Sequence, residues 1–184
     1  MNRDEAMALL REYTKNENLI KHALAVEAAM RHYAELFGGD PDRWGIVGLL
    51  HDFDYERYPT AEDHPLRGAE ILQAKGYPDD VIYAIKAHAE YLGLERKSPM
   101  DKALFAVDEL TGFIVAVALV RPSKSLHEVT VKSVKKKMKD KAFARAVKRE
   151  DFITGAEELE LSLEEHIDHV IRAMQDIADE LGLA

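Results

Sequence analysis

Four ionisable side chains stand where the hydrophobic pattern leaves no cheap place for a charge. His51 and Asp52 close an apolar segment, Trp44-Gly-Ile-Val-Gly-Leu-Leu-His-Asp. Adjacent residues on a regular helix point about 100° apart. At a helix end the backbone can turn, so both side chains can reach one ion. Alone, the pair has a plain structural explanation: Asp52 caps the following turn and His51 is a partly buried core histidine. His22 lies on the row Val26, Ala29, Tyr33, close to an apolar helix face. Asp108 lies on the row Leu104, Asp108, Thr111, Val115 of another apolar segment. A buried carboxylate is costly unless something compensates it. A metal ion held by His22, His51, Asp52 and Asp108 would do so. A salt bridge from Asp108 to Lys102 or Arg121, or exposure beside Glu109, is the alternative.

Glycine and proline punctuate the helical patterns that must position these residues, and no strand-like alternation of useful length occurs. A short helix is expected over Arg3 to Glu12 and a longer one over Glu17 to Phe37, ended by Gly38-Gly39. Asp40-Pro41 starts a third, which runs to His51-Asp52; Gly45 and Gly48 in it would let another helix approach closely. Residues 53–62 read as loop. Helices follow from Pro65 to Lys75 and from Pro78-Asp79 through His88. Tyr91 to Pro99 reads as loop, and Met100 to Val120 as a long apolar helix terminated by Pro122. Leu126 to Val147 reads as one or two basic helices, followed by Asp151 to Leu159 and Ser162 to Leu181. The pattern predicts an all-α, bundle-like single domain of about eight or nine helices over residues 1–184.

Of the 184 residues, 47% are apolar and 32% charged, an ordinary balance for a globular chain. The absence of cysteine excludes disulfides, thiolate metal sites and cysteine nucleophiles. Met1–Leu10 carries Asp4 and Glu5 and no apolar core of a signal peptide. The most apolar run, Phe113 to Val120, is far short of the roughly 20 residues that span a bilayer. A cytoplasmic protein with no membrane partner is therefore expected. The net charge of −9 is uneven: residues 121–149 hold eleven Lys or Arg against Glu128 and Asp140, a net of +9, which leaves −18 on the rest. Such a block suits an anionic ligand. It has no interleaved aromatics for base stacking, so a nucleotide or other polyphosphate is expected there rather than nucleic acid.

His22, then His51-Asp52, then Asp108, on successive helical patterns, resembles the H…HD…D signature of the HD superfamily of metal-dependent phosphohydrolases. His64-Pro-Leu-Arg-Gly-Ala-Glu is similar to the HPxxGA segment of HDIG-type members. Ile85-Lys-Ala-His88 resembles the next helix, which carries further ligands in two-metal members. The resemblance covers about residues 17–120, with 121–184 as a basic helical extension. Two positions depart from it: Phe53-Asp54-Tyr55 replaces the usual Ile-Gly and Lys, and His88-Ala89 replaces adjacent histidines.

The resemblance implies one or two divalent transition ions. His22, His51, Asp52 and Asp108 would form the first metal set. Asp52 would bridge to a second ion held by His64 and His88, or those two histidines would hold substrate phosphate. Mixed nitrogen and oxygen ligands favour Mn, Fe, Co, Ni or Zn over Mg. The implied activity is that of a phosphomonoesterase or phosphodiesterase on a small phosphorylated molecule, a nucleotide, attacked by metal-bound hydroxide. Asp54 would position the water or protonate the leaving group, or would simply cap a turn. Arg67, Arg121 and Lys124 are candidates for substrate phosphate. His32, His127, His166 and His169 read as structural. Two other readings stand beside this one: a di-iron oxygenase of the same superfamily, and a non-catalytic nucleotide-binding module.

Overall fold

A computed structural model of the chain describes residues 1–184, and every regular element is helical. Ten α-helices follow one another: α1 (Arg3–Tyr13), α2 (Glu17–Phe37), α3 (Pro41–Leu50), α4 (Leu66–Ala74), α5 (Asp79–Ala87), α6 (Pro99–Leu119), α7 (Val131–Met138), α8 (Arg149–Glu158), α9 (Leu163–Gln175) and α10 (Ala178–Leu181). No helix is long and apolar enough to cross a membrane.

Local chemistry sets the ends of the two longest helices. Asn16 caps α2 by accepting from the Asn18 N–H, and Gly38 ends it in the left-handed region at φ +73°. Ser98 and Asp101 form a reciprocal capping box at the start of α6, with Pro99 in the first turn, where a missing N–H is harmless.

Helices α2 and α6 form the centre, and the others cover them. Gly48 allows α3 to lie against α2, since a Cβ there would fall 2.9 Å from the Val26 carbonyl oxygen. On the other side, α8 meets α6 at Gly155, where a Cβ would fall 2.4 Å from Ala106 Cα. One apolar core runs from Leu9 and Leu10 in α1 through Val26, Leu50, Leu104 and Phe113 to Phe152, Ile167 and Met174. The basic extension is thus part of the same core through Leu126, Val134 and Phe152.

Gly155→Ala is expected to lower stability by about 2 kcal/mol or more. Overpacking costs roughly 1–3 kcal/mol, and here it strikes backbone; only about 1 kcal/mol of helix propensity offsets it. An unchanged urea midpoint would reject this contact.

The all-α expectation holds, with three differences of detail. The bundle has ten helices because α9 stops at Gln175 and Ile177 leaves helical geometry before α10. Residues 51–57 form hydrogen-bonded turns rather than an open loop, and Phe53 and Asp54 are both buried in them. The stretch 126–147 holds a single 3-10 turn, Leu126–Glu128, and the eight-residue α7; residues 141–146 are turns. There the Arg149 guanidinium donates to the carbonyls of Met138, Asp140, Phe143, Ala144 and Val147 and lies over the Phe113 ring. One side chain thus supplies the donors that helical backbone would otherwise have provided.

Candidate metal centre

The four residues singled out first converge between α2, the end of α3 and α6. His22 Nε2 lies 2.9 Å from Asp108 Oδ1. His51 Nε2 lies 3.1 Å from Asp108 Oδ1 and 3.1 Å from Asp52 Oδ2. His22 Nε2 is 3.8 Å from Asp52 Oδ2. The other oxygen of Asp52 faces a second group: Oδ1 is 3.2 Å from His64 Nε2 and 3.2 Å from His88 Nε2. The donor atoms of each group lie within 4.8 Å of one another.

Tautomer and aim follow from what the other ring nitrogens touch. His51 Nδ1–H donates to the Gly48 carbonyl at 2.7 Å. His88 Nδ1–H donates to the Ile85 carbonyl. His64 Nδ1–H donates to Asp54 Oδ1 at 2.7 Å. Each bond turns Nε2 toward the cluster and fixes the ring, as partners of metal-bound imidazoles do. His22 Nδ1 stands 3.5 Å from the Thr111 hydroxyl, which itself donates to the Asp108 carbonyl.

The donor set fits a metal ion. Bonds of about 2.0–2.2 Å put adjacent ligands of an octahedral ion roughly 3 Å apart. Most of the contacts above have that length. A neutral imidazole with Nδ1–H committed elsewhere presents a lone pair at Nε2. A lone pair 3 Å from a carboxylate is repulsive, so either an extra proton or a cation belongs between them. Without a metal the protein answers with protons. Burial disfavours charge on His51, but Asp52 and Asp108 outweigh it and hold the imidazolium well above its usual range. Burial likewise opposes charge on His64, yet Asp52 and Asp54 push it up to about 9. Asp52 and Asp108 in turn sit well below the usual carboxylate range: burial opposes their ionisation, and the neighbouring imidazoles overcome it.

Access is one-sided. His51 is sealed at 0% exposure, whereas the Asp52 and Asp108 side chains are 26% and 22% exposed, so a ligand can reach the cluster from the carboxylate side. Tyr55 and Tyr91 stand on that rim. The Tyr55 ring meets His64 edge-on, and the Tyr91 hydroxyl donates to the His64 carbonyl. Beside Asp108, burial and the Asp108 charge push Glu109 up to about 7. Lys148 binds Glu109 in turn: its backbone N–H donates to that carboxylate at 3.3 Å, and its ammonium lies 2.8 Å from Glu90 and 3.4 Å from Asp151. Sequence reasoning missed Tyr55, Tyr91 and Lys148; only Thr111 had a signal, its place on the helical row of Asp108.

Several expected residues are placed elsewhere. Asp54 is neither a free acid nor an exposed cap: it is 1% exposed, and its second oxygen accepts from the Gly68 N–H at 2.8 Å. It holds His64, and both of its oxygens are engaged by partners within the protein rather than open to a water or leaving group. Arg67 is exposed and paired with Asp63 and Glu70. Arg121 lies thirteen residues beyond Asp108, about 20 Å along the helix direction, and Lys124 sits on an exposed turn just past it. None of these three cations is brought to the cluster. Asp108 pairs with His22 and His51, not with Lys102 or Arg121.

The remaining histidines divide. His127 is exposed. His166 is sealed, accepting from the Tyr33 hydroxyl at Nδ1 and donating from Nε2 to the Ala106 carbonyl at 2.8 Å. His32 and His169 face one another, Nε2 of the first 2.8 Å from Nδ1 of the second.

Comparison with known proteins agrees with this geometry. The family model described as HD domain matches residues 19–112. Ribonuclease Y of Desulfotalea psychrophila is 31% identical over 100 residues, 52% of this chain and 18% of the relative. Ribonuclease Y of Oleidesulfovibrio alaskensis is 31% identical over 98 residues, 53% and 18% of the two chains. That of Rhodopirellula baltica is 31% identical over 81 residues, 44% and 16%. The chain therefore spans less than a fifth of the length of these curated relatives. No solved structure matches it. With the family model covering half of the sequence, and both carboxylates and all four cluster histidines inside that span, the chain belongs to the HD domain family.

Proposed function

We propose that the protein is a metal-dependent phosphohydrolase, a phosphomonoesterase or phosphodiesterase, acting on a small phosphorylated molecule such as a nucleotide. The observation that carries this reading is Asp52, which presents one oxygen to His22 and His51 and the other to His64 and His88. Two such groups joined by one carboxylate suit a pair of divalent ions. Ions held there supply an activated water near neutral pH and neutralise charge on phosphoryl oxygens. The name ribonuclease borne by the relatives supports a phosphodiester among the substrates to be tried.

The chain's own residues do the positioning. His51, His64 and His88 are fixed by their Nδ1 bonds, so the Nε2 lone pairs need no reorganisation when a ligand arrives. Asp54 keeps His64 aimed. Lys148 is the cation we assign to substrate phosphate, in place of Arg67, Arg121 and Lys124. Its anchors flank the cluster, since Glu109 adjoins Asp108 and Glu90 lies two residues past His88. Its exposed ion pairs are weak, so a phosphate dianion can draw the ammonium away from them.

The test is metal analysis of the purified protein, with turnover of bis(p-nitrophenyl) phosphate, p-nitrophenyl phosphate, a nucleotide panel and a short RNA. Metal-dependent phosphate release is expected. Lys148→Ala is expected to raise KM about tenfold or more at unchanged metal content, with partial recovery in Lys148→Arg, because a charge-assisted hydrogen bond contributes roughly 1.5–3 kcal/mol. Unchanged KM would remove Lys148 from the site. The formed second group also keeps the di-iron oxygenase reading in play. Oxygen consumption with ferrous ion, and no phosphate release with any metal, would favour it. Nucleotide binding without turnover under any metal would favour the non-catalytic module.

A further inference from the structure

We propose that the cleft between the C-terminal end of α6 and helix α7 is a second anion site, apart from the metal centre, that takes a triphosphate chain. The cleft has a volume of about 430 Å³, with Val117 and Val120 on its apolar side and Arg121, Lys132, Lys136 and Lys137 as its cations. That volume falls within the range of small-ligand sites. An adjoining concavity shares Lys132 and Lys136 and adds Lys135 and Lys139.

The four cleft cations stand without acidic partners. Of the basic residues in 121–149, only Lys135 and Lys148 form ion pairs. The chain has 34 acidic residues, yet none is set against the four cleft cations. Four like charges around one concavity repel one another, and an anion of several charges relieves them all. The hydroxyls of Thr130 and Ser133 line the cleft too, but each is engaged in the capping box of α7. Recognition therefore rests on charge, with Val117 and Val120 available to an attached apolar group or base.

The site is separate from the metal centre by geometry. Val117 follows Asp108 by nine residues on the same helix, which is about 180° around the axis and roughly 13 Å along it. The two therefore face opposite sides of α6, and one small molecule cannot span both. This inference stands whether or not the cluster hydrolyses anything.

Calorimetric titration of the full chain with inorganic tripolyphosphate, and separately with ATP, tests it. Both ligands are expected to bind. Lys132→Ala/Lys136→Ala is expected to weaken binding tenfold or more, while alanine at exposed positions of α7 preserves the helix. Lys15→Ala/Lys75→Ala removes the same charge elsewhere and is expected to change binding less than twofold. Asp108→Ala, which removes any binding at the metal centre, is expected to keep the binding that the cleft variant loses. Equal binding of the two ligands assigns the site to the phosphate chain; tighter ATP binding adds the apolar side. The proposal is overturned by any of four results: no binding at about 1 mM ligand, loss in the control as large as in the cleft variant, loss in Asp108→Ala of the binding that the cleft variant also loses, or a short RNA that binds the cleft tenfold tighter than either ligand.

Discussion

Replacing Asp52 with alanine is expected to strip the protein of bound metal and to lower phosphate ester hydrolysis by about 10³-fold or more. Asp52 is the one residue common to both donor groups. Its loss takes a ligand from each at once and leaves His51, sealed from solvent, with Asp108 as its only carboxylate. Asp52→Asn keeps the shape but offers a neutral amide in place of a charged bridge, so it should lose nearly as much. His64→Ala separates the two groups: it should cost the second ion while the first remains. Elemental analysis beside turnover reads all three variants. If Asp52→Ala keeps its metal and its rate, the bridging assignment is wrong, and the carboxylate returns to the role of a turn cap. If Asp52→Ala loses both while His64→Ala keeps one ion and some turnover, the first group carries the chemistry and the second assists it.

The central set was legible in the sequence because it combines cost with spacing. Asp108 sits on an apolar row and His51-Asp52 ends an apolar run, so each asks for a compensating partner. The helices that present them carry caps and breakers that the chain itself spells out: Asn16, Gly38, Pro41, Ser98 and Pro99. The second group was legible only through resemblance, since His64 precedes one helix and His88 stands at the very end of the next, where periodicity alone does not aim a side chain. Asp54 misled because residues 53–62 are rich in polar and turn-forming types, which usually means exposure. Burial of Phe53 instead drags Asp54 inward, where Gly68 has no side chain to keep it out.

What lay beyond reach was set by long-range packing. Lys148 is separated from Asp108 by forty positions, and nothing local points it there. Its position depends on the turns that Arg149 organises, and these replaced the basic helix that composition suggested. Arg121 and Lys124 failed for a related reason. Following Asp108 in sequence placed them near it on paper, but along a straight helix thirteen residues are about 20 Å. Proximity in sequence along a helix is distance in space. The basic cleft on the far side of α6 follows from that same separation.

Acid is expected to destabilise the protein through His166, a residue with no part in the metal centre. Burial pushes its imidazole down to about 4, opposed in part by its bond to the Ala106 carbonyl. Above pH 6.5 the ring is neutral in the folded and unfolded chains alike, and its contribution is fully present. As pH falls below 6.5 the unfolded chain takes up a proton that the folded one refuses. Stability then falls by about 1.4 kcal/mol per pH unit until roughly pH 4, a total of about 3 kcal/mol. Protonation would also destroy the arrangement itself, since Nδ1 could no longer accept from the Tyr33 hydroxyl. Urea unfolding of metal-stripped protein between pH 7 and pH 4.5 reads this slope. His166→Gln removes the titration, so it should start less stable at pH 7 but lose less on acidification. Parallel pH profiles for the two proteins would show that the acid sensitivity arises elsewhere. Converging profiles would locate it at the α6–α9 contact, where the same Ala106 also packs against Gly155 two residues before Asp108.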